Sequence, residues 1–348
     1  MSAEADHSSR RNAAPTSSGL SSPTQLSVLE FPQAEFSLEL TLSCGQLFHW
    51  QREGAGWLGM VGAVPIYIEQ DGDRLLVSSG TETLAAHYFA LDHRLVEICA
   101  SFPADPAMQE AARFCAGMRL VRQPKWECLA TFITSSMKQV SHIAQMSHAI
   151  RRSFGVPAEG AEQRQGQPLF AYPSPARLAL VTEAELRACG LGFRAKNLLA
   201  TAKMVASGEV DLEAVSALDD DSARAELCRL PGVGVKVANC VLLFGYERLR
   251  SFPIDVWIER ILRELYFPRK RKVTAERLRE FSETYFGPFR GYAQQYLFHH
   301  ARKTWHAREK ALKAQRTLPA QLALPAQSAL PAPAKKRGTP GRAAKRLS

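Results

Sequence analysis

LPGVGVKVANC, Leu230 to Cys240, sets two glycines between a proline and an apolar helical run, and a lone amine, Lys236, follows the second glycine by two residues. Pro231 ends the preceding helix, while Gly232 and Gly234 allow tight backbone angles and leave amide N–H groups uncovered. Those amides open the next helix, where the dipole is positive, so the stretch is built to meet a phosphate.

Two helices joined in this way form a helix-hairpin-helix, which grips a nucleic-acid backbone without reading its sequence. The plainer alternative is an ordinary glycine-capped helix pair. Lys236 is then either one more phosphate contact or a chemical group, and two neighbours favour chemistry. Nineteen residues on, FPIDVWIER places Asp255 after Pro253 and before an apolar helix, as an N-cap. A carboxylate held rigidly there is also suited to stabilising positive charge on a sugar. Cys240, four residues after Lys236, shares its helical face and is either a wall of a pocket or a core cysteine.

Outward from this hairpin the hydrophobic period changes once. From about Leu26 to Ser79 the pattern is strand-like, with Ile66, Ile68, Leu75 and Val77 alternating around an Asp71-Gly72-Asp73 turn. From about Glu82 onward it is helical: Leu129, Phe132 and Ile133, then Val140, Ile143, Met146 and Ile150, recur at three- and four-residue steps. The polar SSMKQ between these runs reads as a helix-helix corner, and Gly190 as a helix C-cap. The expected organisation is a lead-in over 1–25, an antiparallel β domain over 26–117, an all-helical domain over 118–310 and a basic Ala/Pro-rich tail over 311–348. The class is α+β.

The 348 residues are 46% hydrophobic, enough for about two domains with real cores. The net charge of +10 points to an acidic partner, but from Ala301 onward twelve Lys or Arg face one Glu. The body therefore sums to about −1 and must concentrate whatever positive surface it has; the tail is either a plain tether or a salt-sensitive DNA attractant. Seven scattered cysteines with no CxxC argue for reduced thiols and against a zinc or iron–sulfur site. No apolar run approaches the roughly 20 residues of a membrane span, and the first segment lacks a signal's apolar core. The expected location is the cytoplasm, at the nucleoid, or the nucleus of a eukaryotic source.

At these residues the chain resembles the helix-hairpin-helix DNA glycosylases with a Gly/Pro-rich loop and catalytic Asp, and within them the 8-oxoguanine DNA glycosylase/lyases. LPGVGVK followed by PIDV carries the likeness, with LSCGQLFHW (Leu42–Trp50), LGFRAKN (Leu191–Asn197) and YAQQYLF (Tyr292–Phe298) in family order. The resemblance spans about residues 28 to 303. It implies a monomer that acts on double-stranded DNA containing oxidised guanine and needs no cofactor. Lys236 falls on the family's nucleophile, which attacks the sugar, and Asp255 on its essential carboxylate. Gln294 and Phe298, four apart on one helical face, fall on residues that read and stack the flipped purine. Cys240 and Pro253 fall on the same base pocket. Gly45 matches the glycine whose carbonyl accepts the N7–H that 8-oxoguanine has and guanine lacks. Gly232, Gly234 and Val237 fall on the backbone clamp, and the carbonyls of Cys228, Leu230 and Val233 on a hairpin ion site that is not catalytic.

The departures fall where a member fills the gap left by the flipped base. Met137, Lys138 and Gln139 stand where the eukaryotic pattern has asparagines, His142 stands for an arginine, and Phe193 for a tyrosine wedge. Arg194 is then the retained cation, and Trp257 replaces a phosphate-contacting histidine. An apolar Met137 cannot make the asparagine's hydrogen bonds to the estranged cytosine, so a weaker preference for that partner is expected. Two rivals stand beside this reading: a related glycosylase for another lesion, and a non-catalytic DNA-binding module. The first would lack Lys236 or carry a late four-cysteine cluster, whereas no cysteine follows Cys240; the second would need neither Lys236 nor Asp255.

Overall fold

The computed structural model describes residues 25–31, 35–158, 168–268 and 272–317, with side chains to 304; the expected lead-in and most of the expected tail lie outside them. The chain forms two compact units, Met1–Lys303 and Thr304–Ser348. Every side chain discussed below belongs to the first.

An antiparallel sheet opens the fold, ordered β1-β5-β4-β3-β2. Its strands are β1 (Leu26–Glu30), β2 (Gln51–Glu53), β3 (Gly56–Val61), β4 (Val64–Asp71) and β5 (Arg74–Ser78). Asp71 pairs with Arg74, so Gly72 and Asp73 make the two-residue turn, and Gly72 sits at φ +60° as such a turn demands. The alternating Ile66, Ile68, Leu75 and Val77 are fully buried against Trp50, Tyr88 and Phe89.

One element departs from the sequence reading. Leu38–Ser43, inside the strand-like stretch, is a helix, α1. Over six residues LELTLS satisfies both periods, because Leu38, Leu40 and Leu42 alternate while Leu38 and Leu42 are also four apart. The cap decides: the Ser37 side chain accepts the Leu40 N–H at 3.3 Å, which closes a helical turn.

From Glu82 the fold is helical, beginning with α2 (Glu82–Tyr88), α3 (Leu95–Ala100) and α4 (Pro106–Phe114). Then come α5 (Lys125–Thr134), α6 (Val140–Phe154), α7 (Pro175–Ala179), α8 (Glu183–Leu186) and α9 (Arg194–Ala206). The SSMKQ corner lies between α5 and α6, and Gly190, at φ +85°, ends the wide turn after α8. The hairpin joins α10 (Asp220–Cys228) to α11 (Val235–Gly245), and α12 (Val256–Ile261), α13 (Ala275–Tyr285) and α14 (Arg290–Thr317) complete the fold. Phe132 of α5 stacks on Phe244 of α11 with ring centroids 5.5 Å apart and planes 9° apart, which locks the helix carrying Lys236 to the corner. Among the described residues no helix is long and apolar enough to cross a membrane.

Candidate active site

Gly234 is the N-cap of α11 and offers no side chain to close it. The amides of Val235, Lys236 and Val237 therefore open the helix without a capping partner, while the Val237 side chain is buried. Gly232, at φ +83°, could not be another residue: a Cβ there would lie 2.9 Å from Cβ of Asn197 on α9. Gly234 has open space around it. At the proposed ion site, the Leu230 carbonyl already accepts the Val233 N–H at 3.0 Å, with one lone pair remaining.

Lys236 is half-buried in the first turn of α11. Its Nζ donates to Ser135 Oγ at 3.5 Å and lies 5.4 Å over the Phe132 ring. Ser135 spends its own proton on the Phe132 carbonyl at 2.7 Å, so it can only accept from the amine. Asp255 caps α12, and its Oδ1 takes both the Trp257 and Ile258 N–H groups, at 3.0 and 2.8 Å, which leaves Oδ2 outside the cap. Burial raises the Asp255 carboxyl above its ordinary value, opposed by the Ile258 N–H and then by the charge of Lys236. Cys240 is buried; desolvation pushes its thiol up, the Lys236 amine opposes that, and the Asp255 carboxylate adds to it. Amine, carboxylate and thiol are thus within electrostatic reach of one another, with Pro253 buried just before the cap.

A second cluster forms where α14 meets the end of α1. Gly45, at φ +93°, lies against Phe298: a Cβ there would meet Phe298 Cε1 and Arg302 Nη1 at 3.3 Å and Val140 Cγ2 at 3.4 Å. One turn before the half-buried Phe298, Gln294 is 4% exposed, and its Oε1 has no hydrogen-bond partner. An unsatisfied buried oxygen costs about 1–3 kcal/mol unless a partner meets it.

Two family models match the chain: the N-terminal domain of 8-oxoguanine DNA glycosylase over residues 28–129, and the HhH-GPD superfamily of base excision DNA repair proteins over 131–285. The N-glycosylase/DNA lyase OGG1 of Arabidopsis thaliana is 30% identical over 290 residues, covering 78% of each chain. The chain belongs to the 8-oxoguanine glycosylase/lyase family. Among solved structures, the Clostridium acetobutylicum 8-oxoguanine glycosylase/lyase with dsDNA containing cytosine opposite 8-oxoG superposes with a TM-score of 0.73 at 29% identity, covering 78% of this chain and 93% of that one. MBOgg1 in complex with a low-affinity DNA ligand superposes with a TM-score of 0.74 at 31% identity, covering 81% and 99%.

The residues in which this family member departs from the eukaryotic pattern are mostly at its surface. Met137 is 91% exposed with φ +56°, a left-handed conformation unusual for methionine. Phe193 is 56% exposed before α9, and His142 is exposed in the first turn of α6. Trp257 is half-buried in the first turn of α12. Arg194, the retained cation, is turned inward instead: it is 4% exposed, with Nε at 2.7 Å from the Ser136 carbonyl and Nη1 at 3.2 Å from that of Leu191. Its guanidinium also lies 4.3 Å over the Phe193 ring. It braces the corner and the exposed phenylalanine from behind, because the bend leaves buried carbonyls that need a donor. Sequence reasoning missed Ser135 and Phe132 beside the amine, and Arg302 beside Gly45.

Proposed function

We infer that the chain is a bifunctional DNA repair enzyme that turns 8-oxoguanine out of duplex DNA, excises it, and cleaves the strand at the resulting site. The hairpin amides and Gly234 would hold the phosphodiester backbone, Met137 and Phe193 would fill and wedge the duplex, and the extruded base would enter between Phe298 and Cys240. Gln294 would pair with its Watson–Crick edge, and the Gly45 carbonyl would accept N7–H. Guanine would present a lone pair to that carbonyl instead, a mismatch of about 1–3 kcal/mol in a dry pocket.

The free amine of Lys236 attacks C1′ with its lone pair, and the glycosidic bond breaks with its electrons leaving on the base. The second Asp255 oxygen, outside the two cap bonds, stabilises the positive charge that develops on the sugar. Loss of a proton and ring opening give a Schiff base between Lys236 and C1′. Removal of a C2′ proton then expels the 3′ phosphate by β-elimination.

The observation that carries this reading is the mutual approach of Lys236, Cys240 and Asp255 at an uncapped helix start. Borohydride reduction on an 8-oxoguanine duplex tests it. A covalent protein–DNA adduct is expected, absent in Lys236→Gln, while that variant keeps DNA affinity within about tenfold because the backbone clamp remains. Binding with no adduct from the unaltered protein would instead make the chain a non-catalytic DNA-binding module.

A further inference from the structure

The short run after α1 carries four successive carbonyls, and three of them are taken. Arg302 Nη2 donates to the Ser43 carbonyl at 2.7 Å, Gln295 Nε2 to the Cys44 carbonyl at 3.2 Å, and Gln123 Nε2 to the Gln46 carbonyl at 2.8 Å. Among the described residues, only the Gly45 carbonyl of this run accepts no hydrogen bond. His299 also bonds the Cys44 backbone, and its Nδ1 lies 3.4 Å from Arg302 Nη2.

The donors from α14 obey a simple geometry. Gln295, His299 and Arg302 are spaced i, i+4, i+7 and form one stripe, while Gln294 and Phe298 form the next row on the same helix. Arg302 joins the two rows, because its guanidinium also lies 5.6 Å over the Phe298 ring. One planar, multidentate cation thus grips the Ser43 carbonyl, two residues before Gly45, on one side and the stacking ring on the other.

We propose that Arg302, with Gln295, is a positioning residue for lesion recognition: it fixes the free Gly45 carbonyl at its station opposite Phe298 and Gln294. This rests on the base pocket proposed above. Glycine at φ +93° has a soft peptide plane, and nothing on Gly45 itself prevents its carbonyl from turning. Gln295 and Gln123 hold the carbonyls on either side, and Arg302 anchors the one before them at Ser43, so the Gly45 peptide is left a single orientation. Discrimination that hangs on one hydrogen bond needs such a mount, since a displacement of about 1 Å at a reacting site can cost a hundredfold.

The test compares two reactions of the full-length protein. Excision of 8-oxoguanine needs the base pocket, whereas strand cleavage at a preformed abasic site presents no base to read. Arg302→Met and Gln295→Leu are each expected to slow single-turnover excision by between about tenfold and a hundredfold. Abasic-site cleavage should stay within about twofold, and Arg302→Lys should recover excision only in part, because a single ammonium cannot span both partners. Unchanged excision in Arg302→Met would overturn the inference, and so would an equal fall in both reactions, which would mark a general structural role. If the unaltered protein cleaves abasic sites but leaves 8-oxoguanine in place, the pocket assignment itself fails, a result distinct from failure of the mount.

Discussion

Replacing Gln294 by leucine is expected to make the protein more stable and less active at once. The Gln294 side chain is buried and its Oε1 has no partner, so the fold carries an unpaid desolvation of about 1–3 kcal/mol. Leucine is close in size and removes the polar atom. At the lower end of that range the gain is about 1 kcal/mol, which in a chain of this length raises Tm by roughly 2 °C. The same oxygen and its amide are proposed to meet the Watson–Crick edge of the flipped base. Losing that pairing inside a dry pocket costs a similar 1–3 kcal/mol, equivalent to about fivefold to 140-fold in single-turnover excision. Thermal melting and excision from an 8-oxoguanine duplex, measured on the same preparations, read both sides. A Tm that falls by several degrees would show that Gln294 is satisfied in the folded core, and excision at the original rate would show that it does not read the base.

Asp255→Asn separates capping from chemistry. Because burial raises the folded carboxyl above its ordinary 3.8, the folded state binds that proton more tightly than the unfolded chain. Ionisation therefore subtracts stability as pH rises through the folded value, and the full cost is present at pH 7. Asparagine caps as well as aspartate and carries no charge, so the variant should melt at or above the parent at pH 7, with the advantage shrinking toward pH 4, while turnover falls at least about a hundredfold. An advantage that stays constant across that pH range would refute the linkage. At the exposed corner, excision from pairs with C, A, G and T should differ by less than about tenfold, because Met137 offers no hydrogen bond worth more than about 1.4 kcal/mol of discrimination. Met137→Asn, tolerated at φ +56°, should sharpen the preference for C; strong selectivity for C in the parent would sink this account.

What could be read beforehand was local. Lys236, Asp255 and Cys240 were legible because a glycine hairpin, a cap and a four-residue spacing are short-range patterns with a direct geometric meaning. The change of period near Glu82 and the corner at SSMKQ were legible for the same reason. The helix Leu38–Ser43 was hidden, since six residues cannot separate a period of two from one of 3.6. Arg302 was hidden because the carbonyl it grips, on Ser43, lies 259 residues away along the chain. Arg194 misled for a related reason: an arginine in a motif carries no mark of whether its guanidinium faces solvent or an orphaned carbonyl. Periodicity alone would have made Gln294 an ordinary half-buried core residue; only the structure reveals an oxygen with nothing to bond.

Gly232 packs so close to Asn197 of α9 that even a Cβ would not fit between them, which brings the proposed phosphate clamp up against that helix. At the front of that same helix, Arg194 reaches the Ser136 carbonyl and underlies Phe193. The proposed clamp, wedge and filler are therefore all joined to one helix, α9. If they grip the duplex as proposed, bending would fall to the DNA, and soft pyrimidine–purine steps beside a lesion would lower its elastic cost.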